Sequence, residues 1–238
     1  MMINSKEELA KYIDFTNLNN TATQEEIEEF CQTAKEYGFY SVVVSPCYVK
    51  LASEILKDCD VKIGTVVGFP LGFSNTRVKV TEAKIAIEDG ADEIDMVAHI
   101  PAFKNGDYEL LKADINAVKE AIGEHVLKVI IETNLLNEQE ITKISQQVNK
   151  TEADFVKTNT GFTGVNTFNE MVLYLQLIKT AANKKEMKAS GGIKNYKIAN
   201  RLLSSGISRI GTSSGVHIIE QLEALQKNEK AKPEPIRL

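Results

Sequence analysis

Short apolar, β-branched runs alternate along this chain with longer stretches whose apolar residues recur at helical spacing. Eight runs read as strands: Tyr12–Asn17, Phe39–Ser45, Lys62–Gly68, Glu93–Ala98, Leu127–Glu132, Asp154–Thr158, Glu186–Ser190 and Arg209–Gly211. The intervening helical patterns cover Gln24–Tyr37, Ser74–Glu88, Asp107–Ile122, Glu138–Val148, Thr167–Ala181, Lys197–Leu203 and Gly215–Gln226. In the first of these, Ile27, Phe30, Cys31 and Ala34 share one face. Thr23, followed by Gln24-Glu25-Glu26, reads as an N-cap with acidic residues in the first turn, and Asn137 and Asn195 fit the same role.

Strands alternating with helices predict parallel pairing. Eight such units in 238 residues fit a single-domain α/β fold, a (β/α)8 TIM barrel of near-minimal length. A doubly wound open sheet is the alternative. No G-x-G-x-x-G follows the first strand, which weakens a dinucleotide-binding version of it. The barrel is expected over residues 1–226. Residues 227–238 (KNEKAKPEPIRL) are charged, carry two prolines and read as a flexible tail.

Composition narrows the function. Hydrophobic residues make up 43% and charged residues 26%, as in globular proteins generally. A net charge of −5 argues against nucleic-acid binding, which needs a basic face. No apolar run approaches the roughly 20 residues needed to span a membrane, so no membrane partner is expected. Three cysteines, Cys31, Cys47 and Cys59, lack C-x-x-C spacing, and the N-terminus lacks an apolar leader. Both features lead to the expectation of a reduced, cytoplasmic setting.

Barrels of this kind place their chemistry at the C-terminal ends of the strands. The polar residues there include Asp95 in EIDMV, Lys128 in LKVII, Lys157 in FVKT and Lys188 in MKAS. Alternation puts Phe155, Lys157 and Asn159 on one face of their strand and Asp154, Val156 and Thr158 on the other. A lysine amine attacks a carbonyl only when neutral, which requires burial or a neighbouring cation. Lys188 could supply that cation beside Lys157, and Asp95 could move protons. The competing reading makes these lysines surface charges paired with Asp95 or Glu132. Glycine-rich turns follow the last two strands: Gly191-Gly192, then Gly211-Thr212-Ser213-Ser214 leading into a helix. Together with Gly161 they offer amides and a helix N-terminus to a phosphate, or else serve as simple turns.

The blocks VVGFPLG, ADEIDMV, LKVIIET, ADFVKTNTGF, KASGGI and RIGTSSG, given in chain order within a stretch from about Tyr12 to about Ser214, resemble the deoxyribose-phosphate aldolases, a class I aldolase family on a (β/α)8 barrel. The resemblance implies cleavage of 2-deoxy-D-ribose 5-phosphate through a lysine Schiff base, without a cofactor. It implies that Lys157 is the nucleophile, Lys188 the second lysine that tunes it and Asp95 the proton-transfer residue. Lys128, Thr16 and Thr158 are placed at the active site. Gly161, Gly191, Gly192, Gly211, Ser213 and Ser214 are placed at the phosphate. The expected partner is a small phosphorylated sugar, with a second copy of the chain in a homodimer.

The chain also departs from the family pattern. It has Phe15 and Asn17 in the first strand, Val43 and Ser45 in the second, His99-Ile100-Pro101 after the fourth and Asn159 after the Lys-Thr pair. These put substrate preference in question more than imine chemistry, and the alternatives are a class I aldolase of the same barrel type with a different phosphorylated sugar or aldehyde substrate, or a non-catalytic phosphate-binding barrel. His99, His125 and His217 are scattered, so no metal site is expected. Cys47 reads as a small apolar residue, Met96, Phe69 and Phe73 as core or pocket wall, and Glu25, Glu26, Glu28 and Glu29 as a solvated face.

Overall fold

The computed structural model describes residue 3 and residues 5–230. A short helix, α1 (Lys6–Ala10), precedes β1 (Ile13–Asn17). Then follow α2 (Gln24–Tyr37), β2 (Ser41–Val44), α3 (Val49–Leu56), β3 (Lys62–Val67), α4 (Thr76–Glu88) and β4 (Glu93–Val97). Next come α5 (Ile100–Lys104), α6 (Tyr108–Ile122), β5 (Val126–Ile130), α7 (Glu138–Val148) and β6 (Phe155–Lys157). The chain continues through α8 (Phe168–Ala181), β7 (Glu186–Ser190), α9 (Tyr196–Ser204), β8 (Arg209–Thr212) and α10 (Gly215–Lys230). Each strand pairs in parallel with the next, and β8 returns to β1 through Phe15↔Thr212. The sheet is therefore a closed eight-stranded barrel, and the open-sheet alternative falls.

Local chemistry starts and stops the helices. Thr23, Asn137 and Thr167 accept from the backbone three residues on, and Glu26, Glu140 and Glu170 reach back to the cap amides. These are reciprocal capping boxes, with each cap contributing about 1 kcal/mol. Helix α2 ends at Gly38, whose φ of 63° a side chain would resist. The helices α3 and α5 were absent from the predicted pattern because they are short: eight residues behind a turn opened by Pro46, and five residues. Helix α10 runs four residues beyond Gln226, and residues 231–238 of the expected tail lie outside the described residues.

Two layers are buried. Between barrel and helices, Ile94, Met96, Leu127 and Val129 meet Ile115, Ile141 and Ile144, all fully buried. Removing such a side chain down to alanine costs about 2–5 kcal/mol. Helices α4 and α6 are pinned by a buried ion pair, Lys79 Nζ to Asp114 Oδ2 at 2.6 Å. The same ammonium donates to the Val97 carbonyl at 3.0 Å, which fixes the C-terminal end of β4. The second buried layer, inside the barrel, is polar where such barrels usually carry branched aliphatics. Asp14, Glu93, Asp95, Lys128, Lys157 and Lys188 are all buried there.

Candidate active site

Asp95 sits mid-strand in β4 and is fully buried. Strand register delivers three lysines to it: Asp95 pairs with Lys128, and Lys157 pairs with Lys188 on the next strand. Lys128 Nζ donates to Asp95 Oδ1 at 2.9 Å. Lys157 Nζ and Lys188 Nζ both donate to Asp95 Oδ2, at 2.8 Å each. The surface-charge reading of these lysines is thereby overturned. Glu132, its other proposed partner, instead accepts from the Thr160 amide and hydroxyl.

Three of these groups, Asp95, Lys128 and Lys157, differ in how they hold protons. Burial works against the charge on Asp95, but Lys128, Lys157 and Lys188 outweigh it and keep the carboxyl well below its usual range. Burial also opposes the charge on Lys128, yet Asp95 and Glu93 raise its amine above the usual value. At Lys157 burial prevails. Asp95 resists, Lys188 and Lys128 repel, and the amine is pushed down to about 8. At pH 7 about a tenth of Lys157 is then neutral, against roughly 0.03% at the ordinary lysine value.

Of these four groups only Lys157 lines the cleft above them, whose volume is about 530 Å³. Thr16, Gly161, Gly191, Gly192, Gly211 and Ser213 line it too. Gly191 and Gly192 have φ of 97° and 75°, so they turn the chain in a way that other residues resist. A Cβ at Gly211 would come within 3.0 Å of Lys188 Cε, so this glycine leaves room for the lysine to reach Asp95. Helix α10 opens just beyond Ser213, with its N-terminal end toward the cleft and the partial positive charge of a helix start. A larger groove of about 960 Å³, lined by Cys47, Phe69, Arg77, Val78 and Glu82 among others, touches none of the interior lysines.

Two predicted residues are placed otherwise. Ser214 does not line the cleft, and its amide donates to Thr212 Oγ1 at 2.9 Å. Thr158 is buried beside β7, where its hydroxyl donates to the Ser190 carbonyl and accepts from the Ser190 amide, both at 3.0 Å. Four of the departures from the family pattern also acquire structural context. Asn159 ties the loop after β6 to its surroundings: its amide nitrogen donates to Asn166, and its carbonyl oxygen accepts from Thr133 at 2.8 Å. His99 caps α5, its Nδ1 accepting from the Ala102 amide, and Pro101 stands in the first turn of that helix. Phe15 stacks on Phe30, ring centroids 4.1 Å apart, and both line the cleft.

Sequence reasoning missed Asp14, Glu93 and Arg209. Asp14 Oδ2 lies 2.5 Å from Lys188 Nζ, and Glu93 Oε2 lies 2.5 Å from Lys128 Nζ. Alternation carried the signal, since Glu93 stands two residues before Asp95 and Asp14 two before Thr16. Lys194, exposed at the cleft two residues beyond Gly192, was also passed over.

Residues 8–219 match the DeoC/LacD family of aldolases. The deoxyribose-phosphate aldolase of Aciduliprofundum boonei is 50% identical over 222 residues, covering 92% of this chain and 98% of that protein. That of Streptococcus gordonii is 51% identical over 213 residues, covering 89% and 96%. Among solved structures, the tetrameric deoxyribose phosphate aldolase of Aeropyrum pernix is 32% identical with a TM-score of 0.83, covering 94% of each chain. Sequence blocks, closed barrel and buried lysine cluster agree with these likenesses, and the chain belongs to the DeoC/LacD family of aldolases.

Proposed function

We propose that the protein cleaves 2-deoxy-D-ribose 5-phosphate reversibly to D-glyceraldehyde 3-phosphate and acetaldehyde, with Lys157 as the Schiff-base nucleophile. The observation that carries this reading is Lys157 itself. It is buried, pushed down to about 8, hydrogen-bonded to Asp95 and the one member of its cluster that faces the cleft. Relatives at about 50% identity that are named for this reaction support the substrate.

The neutral amine adds to the C1 aldehyde. The carbinolamine loses water as Lys188 and Asp95 supply and accept protons, and an iminium forms. Asp95, held ionised, takes the proton of the C3 hydroxyl directly or through a water. The C2–C3 bond then breaks, its electrons flow into the iminium, and glyceraldehyde 3-phosphate departs. Protonation at C2 turns the enamine into the acetaldehyde imine, which water hydrolyses to free Lys157. The iminium supplies the electrophile, so the scheme calls for no added cofactor. Lys128 keeps Asp95 ionised and in place, at 2.9 Å.

The loops at Gly161, Gly191-Gly192 and Gly211–Ser213 hold the phosphate, with Lys194 adding a positive charge. Fixing the phosphate aligns C1 with Lys157. Thr16 borders the substrate on the β1 side, while Thr158 supports the site by joining β6 to β7. The role fits deoxyribonucleotide breakdown in a cytoplasm. Among the described residues no helix is long and apolar enough to cross a membrane. Assembly as a homodimer is our expectation; the Aeropyrum pernix relative is tetrameric.

A second substrate rests on one observation, the Phe15–Phe30 wall of the cleft, where Phe15 departs from the family pattern. Incubation with deoxyribose 5-phosphate and a panel of other phosphorylated sugars tests both readings. Equimolar acetaldehyde and glyceraldehyde 3-phosphate from the first, at the highest kcat/KM of the panel, is the expected result. Preference for another sugar would move the assignment to that substrate.

A further inference from the structure

Below the lysines, at the opposite end of the strands from the cleft, Arg209 opens β8 with its side chain 12% exposed. Its Nη1 lies 3.7 Å from Asp14 Oδ1 and 3.6 Å from Glu93 Oε1. Its guanidinium carbon rests 3.2 Å from the centre of the Tyr40 ring and 5.6 Å from that of Phe155. Each of the two carboxylates gives its other oxygen to a lysine: Asp14 Oδ2 to Lys188 and Glu93 Oε2 to Lys128, both at 2.5 Å. Those lysines meet again at Asp95. The contacts therefore close a ring: Arg209, Asp14, Lys188, Asp95, Lys128, Glu93 and back to Arg209.

The ring alternates in sign and holds three cations and three carboxylates. Lys157 hangs from it at Asp95 as a fourth cation. We propose that Arg209 is a positioning residue for the reaction, its fixed charge balancing the ring so that, within this cluster, the proton on Lys157 is the charge left without a counterion of its own. This rests on Lys157 being the nucleophile. A guanidinium suits the task because it stays charged in any environment and stacks on aromatic faces. A lysine at that depth could lose its proton and unbalance the ring.

The ionisable groups facing Lys157 and the ring come from five of the eight strands. They are Asp14 on β1, Glu93 and Asp95 on β4, Lys128 on β5, Lys188 on β7 and Arg209 on β8. Ahead of β2, the Tyr40 phenol, raised mainly by burial, abuts Arg209 and Glu93. On β3, Lys62 pairs instead with Asp92 at 3.6 Å, both partly exposed. Loss of Arg209 leaves the ring one positive charge short, and Lys157 keeps its proton to higher pH. Loss of Glu93 does the reverse. Loss of both restores the balance.

The test is borohydride trapping of acetaldehyde on the full chain from about pH 6 to about pH 10, read by intact mass and by mapping of Lys157. Wild type, Arg209→Gln, Arg209→Lys, Glu93→Gln and the Arg209→Gln/Glu93→Gln double variant are compared. The midpoint of trapping should rise by about one pH unit in Arg209→Gln, a tenfold change in neutral amine. It should fall in Glu93→Gln, lie between wild type and Arg209→Gln in Arg209→Lys and return toward wild type in the double variant. A purely structural Arg209 would give lower yields at an unmoved midpoint, and that result would overturn the proposal. Shifts of the same sign in the two single variants would also overturn it. Should Arg209→Gln not fold, Glu93→Gln decides alone: an unmoved midpoint there overturns the proposal. A wild type without any adduct would instead overturn the aldolase reading on which the ring's role rests.

Discussion

Lys157 and Lys188 stand at paired positions on neighbouring strands, and both ammonium nitrogens lie 2.8 Å from the same oxygen of Asp95. One carboxylate oxygen cannot fully neutralise two cations in a water-poor interior. Lys188 has a second anion, Asp14 at 2.5 Å, whereas Lys157 has Asp95 alone and opens on the cleft. The proton is lost where it is least compensated.

Replacing Lys188 by methionine removes one of the cations that repel Lys157. The acid limb of the kcat/KM profile is expected near pH 8 in the wild type and should move up by about one pH unit in the variant. Steady-state rates across pH check this. An unmoved limb would assign Lys188 to substrate grip or proton delivery alone.

Asp95→Asn should have two separable effects. The plateau rate should fall about 10²–10⁴-fold, since the proton-transfer group is lost. The acid limb should move down, because Asp95 is what holds the proton on Lys157. The variant should also lose about 3–5 kcal/mol of stability, measured by urea unfolding, because buried cations lose their shared anion.

Lys157 should cost the fold stability. Its amine titrates at about 8 in the native protein and at 10.5 when free, so between these values the unfolded chain binds more protons. Stability from this group therefore rises with pH across that window, and its cost is complete below pH 8. Lys157→Met should abolish turnover while unfolding at higher urea than the wild type at pH 7. That gap, on the order of a few kcal/mol, should narrow as pH rises toward 10.

Ser213→Asp places a negative charge on the cleft wall where α10 begins. KM for the phosphorylated sugar should rise about tenfold or more, an energy of about 1.4 kcal/mol. Unphosphorylated deoxyribose should be affected much less. Equal losses on both sugars would remove the phosphate from this loop.

The barrel was legible because its signals are periodic and local. Alternation placed Lys157 inward, cap residues such as Thr23 and Asn137 marked helix starts, and eight strand–helix units left few other folds. The short helix α3 was not legible, because its single buried stripe of Val49, Ala52 and Leu56 spans barely two turns. Asp95 and the lysines could be found strand by strand. The ring beneath them could not, because Asp14, Glu93 and Arg209 belong to three strands that meet only once the barrel closes. His99 and Asn159 looked like departures at the site, yet each serves the backbone around it through capping and loop hydrogen bonds.

The most direct measurement is borohydride reduction in the presence of deoxyribose 5-phosphate or acetaldehyde, followed by intact mass and peptide mapping. A two-carbon adduct confined to Lys157 is the predicted result, and it should disappear in Lys157→Met. Folded protein that yields no adduct with either compound, or an adduct on Lys128 or Lys188 in place of Lys157, would contradict the account.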